Sequence, residues 1–170
     1  HLTVALAKRG IKPISGQDPC LFFGKGVICL SYVDDVLFFS KSQEKIDSLI
    51  SSLKEEFKLT EEDSGDAFDF LGVSIKRHHD TEKVELTQTG LINKVLGATG
   101  LTKCNAKSTP AASTPLGTDK NGAPCQEEWD YASVVGMLMY LCSNSRPDIQ
   151  YAVHQCAQFT HCPRQSHEQG

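Results

Sequence analysis

At 170 residues, with 39% hydrophobic and 22% charged residues, the chain has the composition of a globular protein long enough to bury a core, as one domain or two small ones. No apolar run approaches the roughly 20 residues of a membrane-crossing helix and no signal-peptide pattern is present, so a membrane is not expected as a partner. A net charge of −4 weighs mildly against nucleic-acid binding, which usually needs a basic patch, although net charge says nothing of local distribution; seven cysteines without regular spacing weigh against a disulfide framework.

The pattern predicts the tail of a helix over Leu2–Arg9, closed by Gly10. Strands follow over Leu21–Phe23 and Val27–Val33, around a Gly24-Lys25-Gly26 turn. A second apolar run, Val36–Phe39, makes a tight hairpin with Asp34 and Asp35 at its tip. Ser42 is placed to N-cap a helix with Ile46, Leu49, Ile50, Leu53 and Phe57 on one face, a stripe of helical period that packs on a sheet. The charges opposite, from Glu44 to Glu56, read as a solvated surface.

The acidic run Glu61–Asp66 reads as a loop and lacks the ligand spacing of an EF-hand. Phe70–Lys76 and Lys83–Leu86 predict a second hairpin across a polar His78–Glu82 turn. Thr87 is placed to cap a short helix bearing Leu91, Ile92, Val95 and Leu96, ended by Gly100. The Pro-, Thr-, Ser- and Gly-rich stretch Lys103–Glu127 reads as a connector without a core. Two helices close the chain. One spans about Asp130–Ser143, with Val134, Val135, Leu138, Met139 and Cys142 inward; the other has Pro147 at its first position, Asp148 in its first turn and Ile149, Ala152, Val153, Cys156 and Phe159 on its apolar face. The fold class is α+β: antiparallel sheet with a packed helix, then a mainly helical part.

Tyr32-Val33-Asp34-Asp35 is the pattern richest in chemistry. Adjacent carboxylates on a rigid hairpin suit Mg²⁺, a hard cation that takes one or two carboxylates together with substrate phosphates. Two such ions roughly 3.5–4 Å apart stabilise both the attacking and the leaving oxygen of an in-line phosphoryl transfer. An ordinary hairpin turn gives the same residues, so the spacing alone leaves both readings open.

The neighbouring motifs tip the balance. Tyr-x-Asp-Asp between apolar strands, followed by an amphipathic helix, resembles the active-site hairpin of reverse transcriptases, and the chain as a whole resembles the Ty1/copia class of retrotransposon polymerases. Gly10-Ile11, Ser15 and Asp18-Pro19-Cys20-Leu21-Phe22 resemble the stretch before the hairpin; Phe70-Leu71-Gly72-Val73-Ser74-Ile75, Leu86-Thr87-Gln88 and Thr114-Pro115-Leu116 follow in the family's order. Tyr131–Leu141 is similar to the motif YR.LVG.L.YL, and Ser145–Val153 to TRPDI.YAV, followed by Phe159, Pro163 and His167. Two positions depart from the pattern. Ala132-Ser133 lacks the expected arginine, removing a positive charge available to a phosphate, and Ser145 stands for threonine.

The resemblance implies the C-terminal part of a polymerase palm over 1–102, a connector over 103–128 and a helical thumb over 129–170. It implies templated extension of a primer 3′-OH by a deoxynucleoside triphosphate. Asp34 and Asp35 would hold Mg²⁺ (or Mn²⁺) as catalytic residues, braced by Tyr32 and Val33. Phe70, Leu71 and Gly72 would shape a primer grip, although an ordinary edge hairpin has the same pattern. Gly136 and Tyr140 would track the template–primer duplex, while close helix–helix packing is the other reading of Gly136. The implied partners are an RNA or DNA template–primer, the dNTP, and the rest of a polyprotein, with upstream fingers and palm and a possible downstream RNase H. The implied setting is the cytoplasm, inside virus-like particles. The first catalytic aspartate of the family precedes the hairpin and has no counterpart upstream of Tyr32, so the 170 residues alone are expected to be inactive.

Two rival classes stand beside this. A non-catalytic remnant would keep the fold and bind nucleic acid or protein. A zinc module would use His154, Cys156, His161, Cys162 and His167, which cluster near the C-terminus without any knuckle spacing. A cysteine nucleophile with a histidine base is compatible with composition alone. Kinase, P-loop and dinucleotide-binding motifs are absent.

Overall fold

The structure, a computed structural model, describes residues 1–14, 16, 18–60, 67–126 and 128–169. The acidic run Glu61–Asp66, the motif residue Ser15 and the connector's last residue Glu127 lie outside the described residues. Packing divides the chain into two units, His1–Ser64 and Gly65–Gly170. Their secondary structure is α+β, with two small antiparallel sheets and a set of helices. No helix among the described residues is long and apolar enough to cross a membrane.

The first unit runs α1 (Leu2–Lys8), β1 (Lys12–Pro13), β2 (Leu21–Gly24), β3 (Val27–Tyr32), β4 (Asp35–Ser40) and α2 (Gln43–Lys54). Its sheet has the order β1-β2-β3-β4. Side chains alternate across a strand, so each strand offers one set to the helices and one away from them. Phe22, Val27 and Cys29 point to the helical side and close a core with Ala5 and Leu6 of α1, Ile11, and Leu49 and Leu53 of α2. Val36 and Phe38 of β4 pack against the same cluster.

The C-terminal end of α1 closes as the glycine suggested. Gly10 N–H donates to the Ala7 carbonyl at 3.0 Å and Ile11 N–H to the Leu6 carbonyl at 2.9 Å, the paired bonds of a Schellman cap, with Leu6 and Ile11 both buried. Arg9 then ties this end to α2: its Nε donates to Ser52 Oγ and its guanidinium to the Ser52 carbonyl, both at 2.6 Å, and to Glu56 at 2.9 Å. Gly24 is obligatory here, because a Cβ at that position would collide with the Gly10 carbonyl oxygen. Ser42 holds the N-cap position of α2, yet its side chain makes no capping bond.

The second unit contains β5 (Ala67–Phe70), β6 (Val73–His78), β7 (Lys83–Thr87), α3 (Thr89–Ala98), α4 (Tyr131–Asn144), a 3₁₀ turn (Pro147–Ile149), α5 (Gln150–Ala157) and α6 (Gln165–Glu168). The run Phe70–Lys76 is not one strand. Leu71 and Gly72 both take positive φ (+51° and +74°) and fold it into two, adding β5 to the sheet. Thr87 ends β7 rather than capping α3, and Gln88 takes the N-cap place. On α4, Asp130 accepts from Ser133 N–H at 3.0 Å as a true side-chain cap. Tyr131, Val134, Val135, Leu141 and Cys142 are its buried residues, whereas Met139, expected inward, is 43% exposed. Buried Tyr131 donates its hydroxyl to the Cys156 carbonyl at 3.0 Å.

The described part of the connector has no helix or strand of its own apart from a bridge between Pro124 and Arg164. It is nonetheless pinned to the C-terminal segment. His167, buried and stacked on Phe159 at 4.1 Å, accepts from Arg164 N–H at Nδ1 and donates from Nε2 to the Gly117 carbonyl at 2.8 Å.

Candidate active site

In the first hairpin β3 pairs with β4 through Tyr32↔Asp35, Leu30↔Leu37 and Ile28↔Phe39. The turn is therefore Val33-Asp34, not Asp34-Asp35. Asp34 sits on the turn itself and Asp35 opens β4, directly across from Tyr32. Of the two turn residues only Val33 takes positive φ (+52°), the first-position pattern of a II′ hairpin turn that ordinarily asks for glycine. A β-branched residue there is strained, of order 1–3 kcal/mol, and such strain concentrates where a site is pre-formed.

Alternation assigns the faces. Val27, Cys29, Val36 and Phe38 face the helices, so Tyr32 and Asp35 belong to the opposite face, with Ile28, Leu30, Leu37 and Phe39. Both aspartates are exposed, Tyr32 is 55% and Val33 83% exposed, and neither carboxylate has a hydrogen bond or ion pair among the described residues. Carboxylates without a partner among the described residues are the hard oxygen donors that Mg²⁺ takes. They make an incomplete set: among the described residues no third His, Cys, Asp or Glu joins them. The donors present thus fit part of a magnesium site.

The second turn lies in the other unit. Phe70 pairs with Val73, and Leu71-Gly72 forms a two-residue turn with both φ positive, the I′ geometry, in which Gly72 sits without strain and Leu71 does not. Tyr140 of α4 reaches this turn and donates its hydroxyl to the Leu71 carbonyl at 2.6 Å. Gly136, one helical turn before it, has nothing within 4 Å of where a Cβ would stand. Close helix packing therefore does not explain Gly136; it leaves a gap on the open side of α4, beside Tyr140. Nearby, buried Gln88 accepts from the Ser145 hydroxyl at 2.8 Å, joining the start of α3 to the end of α4. Neither the Tyr140–Leu71 bond nor the Gln88–Ser145 bond has any sequence signal, since each joins residues more than fifty positions apart.

The histidine and cysteine cluster does not assemble. Among the described residues no three His, Cys, Asp or Glu side chains come together to hold a metal, and both nitrogens of His167 are engaged in the connector. The described geometry gives a zinc site no ligand set in this segment. Reactive thiols have lowered pKa values, and neither Cys29 nor Cys156 is of that kind. Burial pushes Cys29 up to about 12 and raises Cys156 as well.

Residues 2–113 match the family described as Reverse transcriptase (RNA-dependent DNA polymerase). The chain belongs to that family, in its Ty1/copia retrotransposon branch. It is 31% identical over 159 residues to the Retrovirus-related Pol polyprotein from transposon RE1 of Arabidopsis thaliana, and 33% identical over 163 residues to the one from transposon TNT 1-94 of Nicotiana tabacum. These alignments cover 91% and 89% of the chain but 10% and 12% of the relatives. An uncharacterized mitochondrial protein of Arabidopsis thaliana is 35% identical over 134 residues, covering 79% of the chain and 53% of that protein. The chain thus spans about a tenth of the Pol polyproteins and about half of the mitochondrial protein. No solved structure matches it.

Proposed function

We propose that the chain is the hairpin-bearing palm and thumb portion of a reverse transcriptase that extends a primer 3′-OH with deoxynucleoside triphosphates on an RNA or DNA template. The observation that carries this is Tyr32-Val33-Asp34-Asp35 in a member of this family: two exposed carboxylates, uncommitted among the described residues, Asp34 on a strained turn and Asp35 opening the next strand, with the strands behind them backed by a helix-covered core. Asp34 and Asp35 hold Mg²⁺, which supplies charge neutralisation for the transferring phosphoryl group. The family's upstream carboxylate completes the site; β4 is the outer strand of its sheet, so its free edge can take one more strand beside Asp35. Tyr32, across from Asp35, braces the hairpin. In the second unit Phe70, Leu71 and Gly72 form the primer-grip turn, and the open side of α4 at Gly136 and Tyr140 faces the duplex. The remainder of the polyprotein supplies the fingers, the rest of the palm and any RNase H, and the particle-enclosed cytoplasmic setting follows from the same reading.

The test is Mg²⁺-dependent primer extension by the parent polymerase with Asp34→Asn as the control, which keeps the shape and removes the charge. The expected loss is on the order of a hundredfold or more. Equal extension by the variant overturns the metal role. No extension from folded wild-type protein makes the chain a non-catalytic remnant of its family. Extension by the 170 residues alone overturns the need for the upstream carboxylate.

A further inference from the structure

The connector between α3 and α4 carries a sequence pattern that the polymerase reading leaves unused. Ser108-Thr109-Pro110 recurs as Ser113-Thr114-Pro115, with Ala111-Ala112 between the two copies. Of the chain's seven prolines only Pro110 and Pro115 follow a hydroxyl residue; the other five follow Lys12, Asp18, Ala123, Arg146 and Cys162. The structure sets the same stretch apart. Both threonines and both prolines are exposed, and no helix or strand includes them. From residue 105 to residue 116 no hydrogen bond is made among the described residues. The backbone is anchored on either side of this span: Cys104 N–H donates to the Leu101 carbonyl at 3.1 Å, and the Gly117 carbonyl accepts from buried His167 at 2.8 Å. What lies between is a presented loop whose threonine hydroxyls have no partner among the described residues.

We propose that Thr109 and Thr114 are phosphorylation sites for a proline-directed protein kinase. In the transfer the threonine hydroxyl oxygen bonds to the γ-phosphorus of ATP. The bond from that phosphorus to the β–γ bridging oxygen breaks, ADP leaves with the electron pair, and the hydroxyl proton passes to the kinase's catalytic base. A segment that owes no hydrogen bonds to its own fold enters a kinase cleft without unfolding anything. Proline then selects the acceptor for two reasons. Its ring bars the residue before it from helical backbone and keeps that residue extended. It also brings no N–H into the cleft, where a buried donor without a partner is costly. Ser108 and Ser113 each stand one residue too early to be followed by proline, so the threonines are the acceptors. Each phosphate adds about 1.5 to 2 negative charges at neutral pH. Between residues 103 and 126 Lys103, Lys107 and Lys120 stand against Asp119 alone, so two phosphates reverse the sign of the connector. The second lands three residues before Gly117, where the C-terminal segment grips the connector. The proposal rests on neither the metal site nor the polymerase reading.

The experiment incubates the 170-residue chain with a purified cyclin-dependent protein kinase, ATP and Mg²⁺, and locates the phosphate by tandem mass spectrometry. Two phosphates per chain are expected, one on Thr109 and one on Thr114. Pro110→Ala should slow incorporation at Thr109 about tenfold or more and leave Thr114 unchanged, and Pro115→Ala should do the reverse. Thr109→Val together with Thr114→Val should abolish incorporation. All four positions are exposed, so circular dichroism melting should be the same for every variant, and a lost phosphate then reports lost recognition rather than a lost fold. Phosphate found on Ser108, Ser113 or another residue in place of the threonines overturns the proposal. So does equal incorporation after both prolines are replaced, or no incorporation into the folded chain.

Discussion

The two tight hairpin turns solve the same problem differently. Each places a bulky apolar residue in the left-handed region, Val33 at +52° in the first and Leu71 at +51° in the second. Behind Val33 stands a core: its strands contribute Val27, Cys29, Val36 and Phe38 to a cluster closed by α1 and α2. At the Leu71 turn the Tyr140 hydroxyl donates to the Leu71 carbonyl, and Gly72 relieves the second turn position. Packing holds a turn without touching its tip, so Asp34 stays free for a ligand. A hydrogen bond holds the tip itself, so the Leu71 turn is tied to whatever α4 does.

That contrast can be broken by cutting each support. Leu53→Ala empties a fully buried site beneath the first hairpin and should destabilise it by about 2–5 kcal/mol, read as lost hydrogen-exchange protection in β3 and β4. Little loss would mean that packing is not what holds the turn. Val33→Gly should move the other way, raising stability by on the order of 1 kcal/mol as the strain is relieved against glycine's entropy, and by more than Leu71→Gly, because valine is β-branched. A destabilised Val33→Gly would show the turn to be unstrained. Tyr140→Phe removes one partly exposed hydrogen bond and should cost about 0.5–1 kcal/mol, with faster amide exchange confined to the Leu71 turn. The smallest effect belongs to the Arg146–Asp148 pair, bonded twice at 2.8 Å on the surface. The bond from Arg146 holds the Asp148 carboxyl below its usual range. Its contribution is therefore present at neutral pH and lost as pH falls through that lowered value, so the thermal shift of Asp148→Asn should be slight at neutral pH and vanish in acid.

Much of this was legible in the residues. The apolar runs on either side of Asp34-Asp35 gave strands, the stripe from Ile46 to Phe57 gave α2, and Gly10 gave a helix end. In each case neighbours within one or two turns of chain decide the outcome. The errors share a cause as well. Aspartate favours turns, which points to Asp34-Asp35 as the turn pair, but pairing across to β3 places the turn one residue earlier. Phe70–Lys76 reads as one strand, but Leu71 and Gly72 take positive φ and turn it back into β5 and β6.

Sequence alone determined most of the elements and the family, because periodicity and ordered motifs are written in short stretches of chain. Tertiary structure alone decided which aspartate stands on the turn and which opens a strand, that Val33 bears the strain, that Tyr140 holds Leu71, and that Phe23, Ile28 and Phe39 line up beside Lys12. Those facts depend on strand register and on contacts between residues far apart in sequence, and a shift of one residue in register would have turned every one of those side chains to the other face.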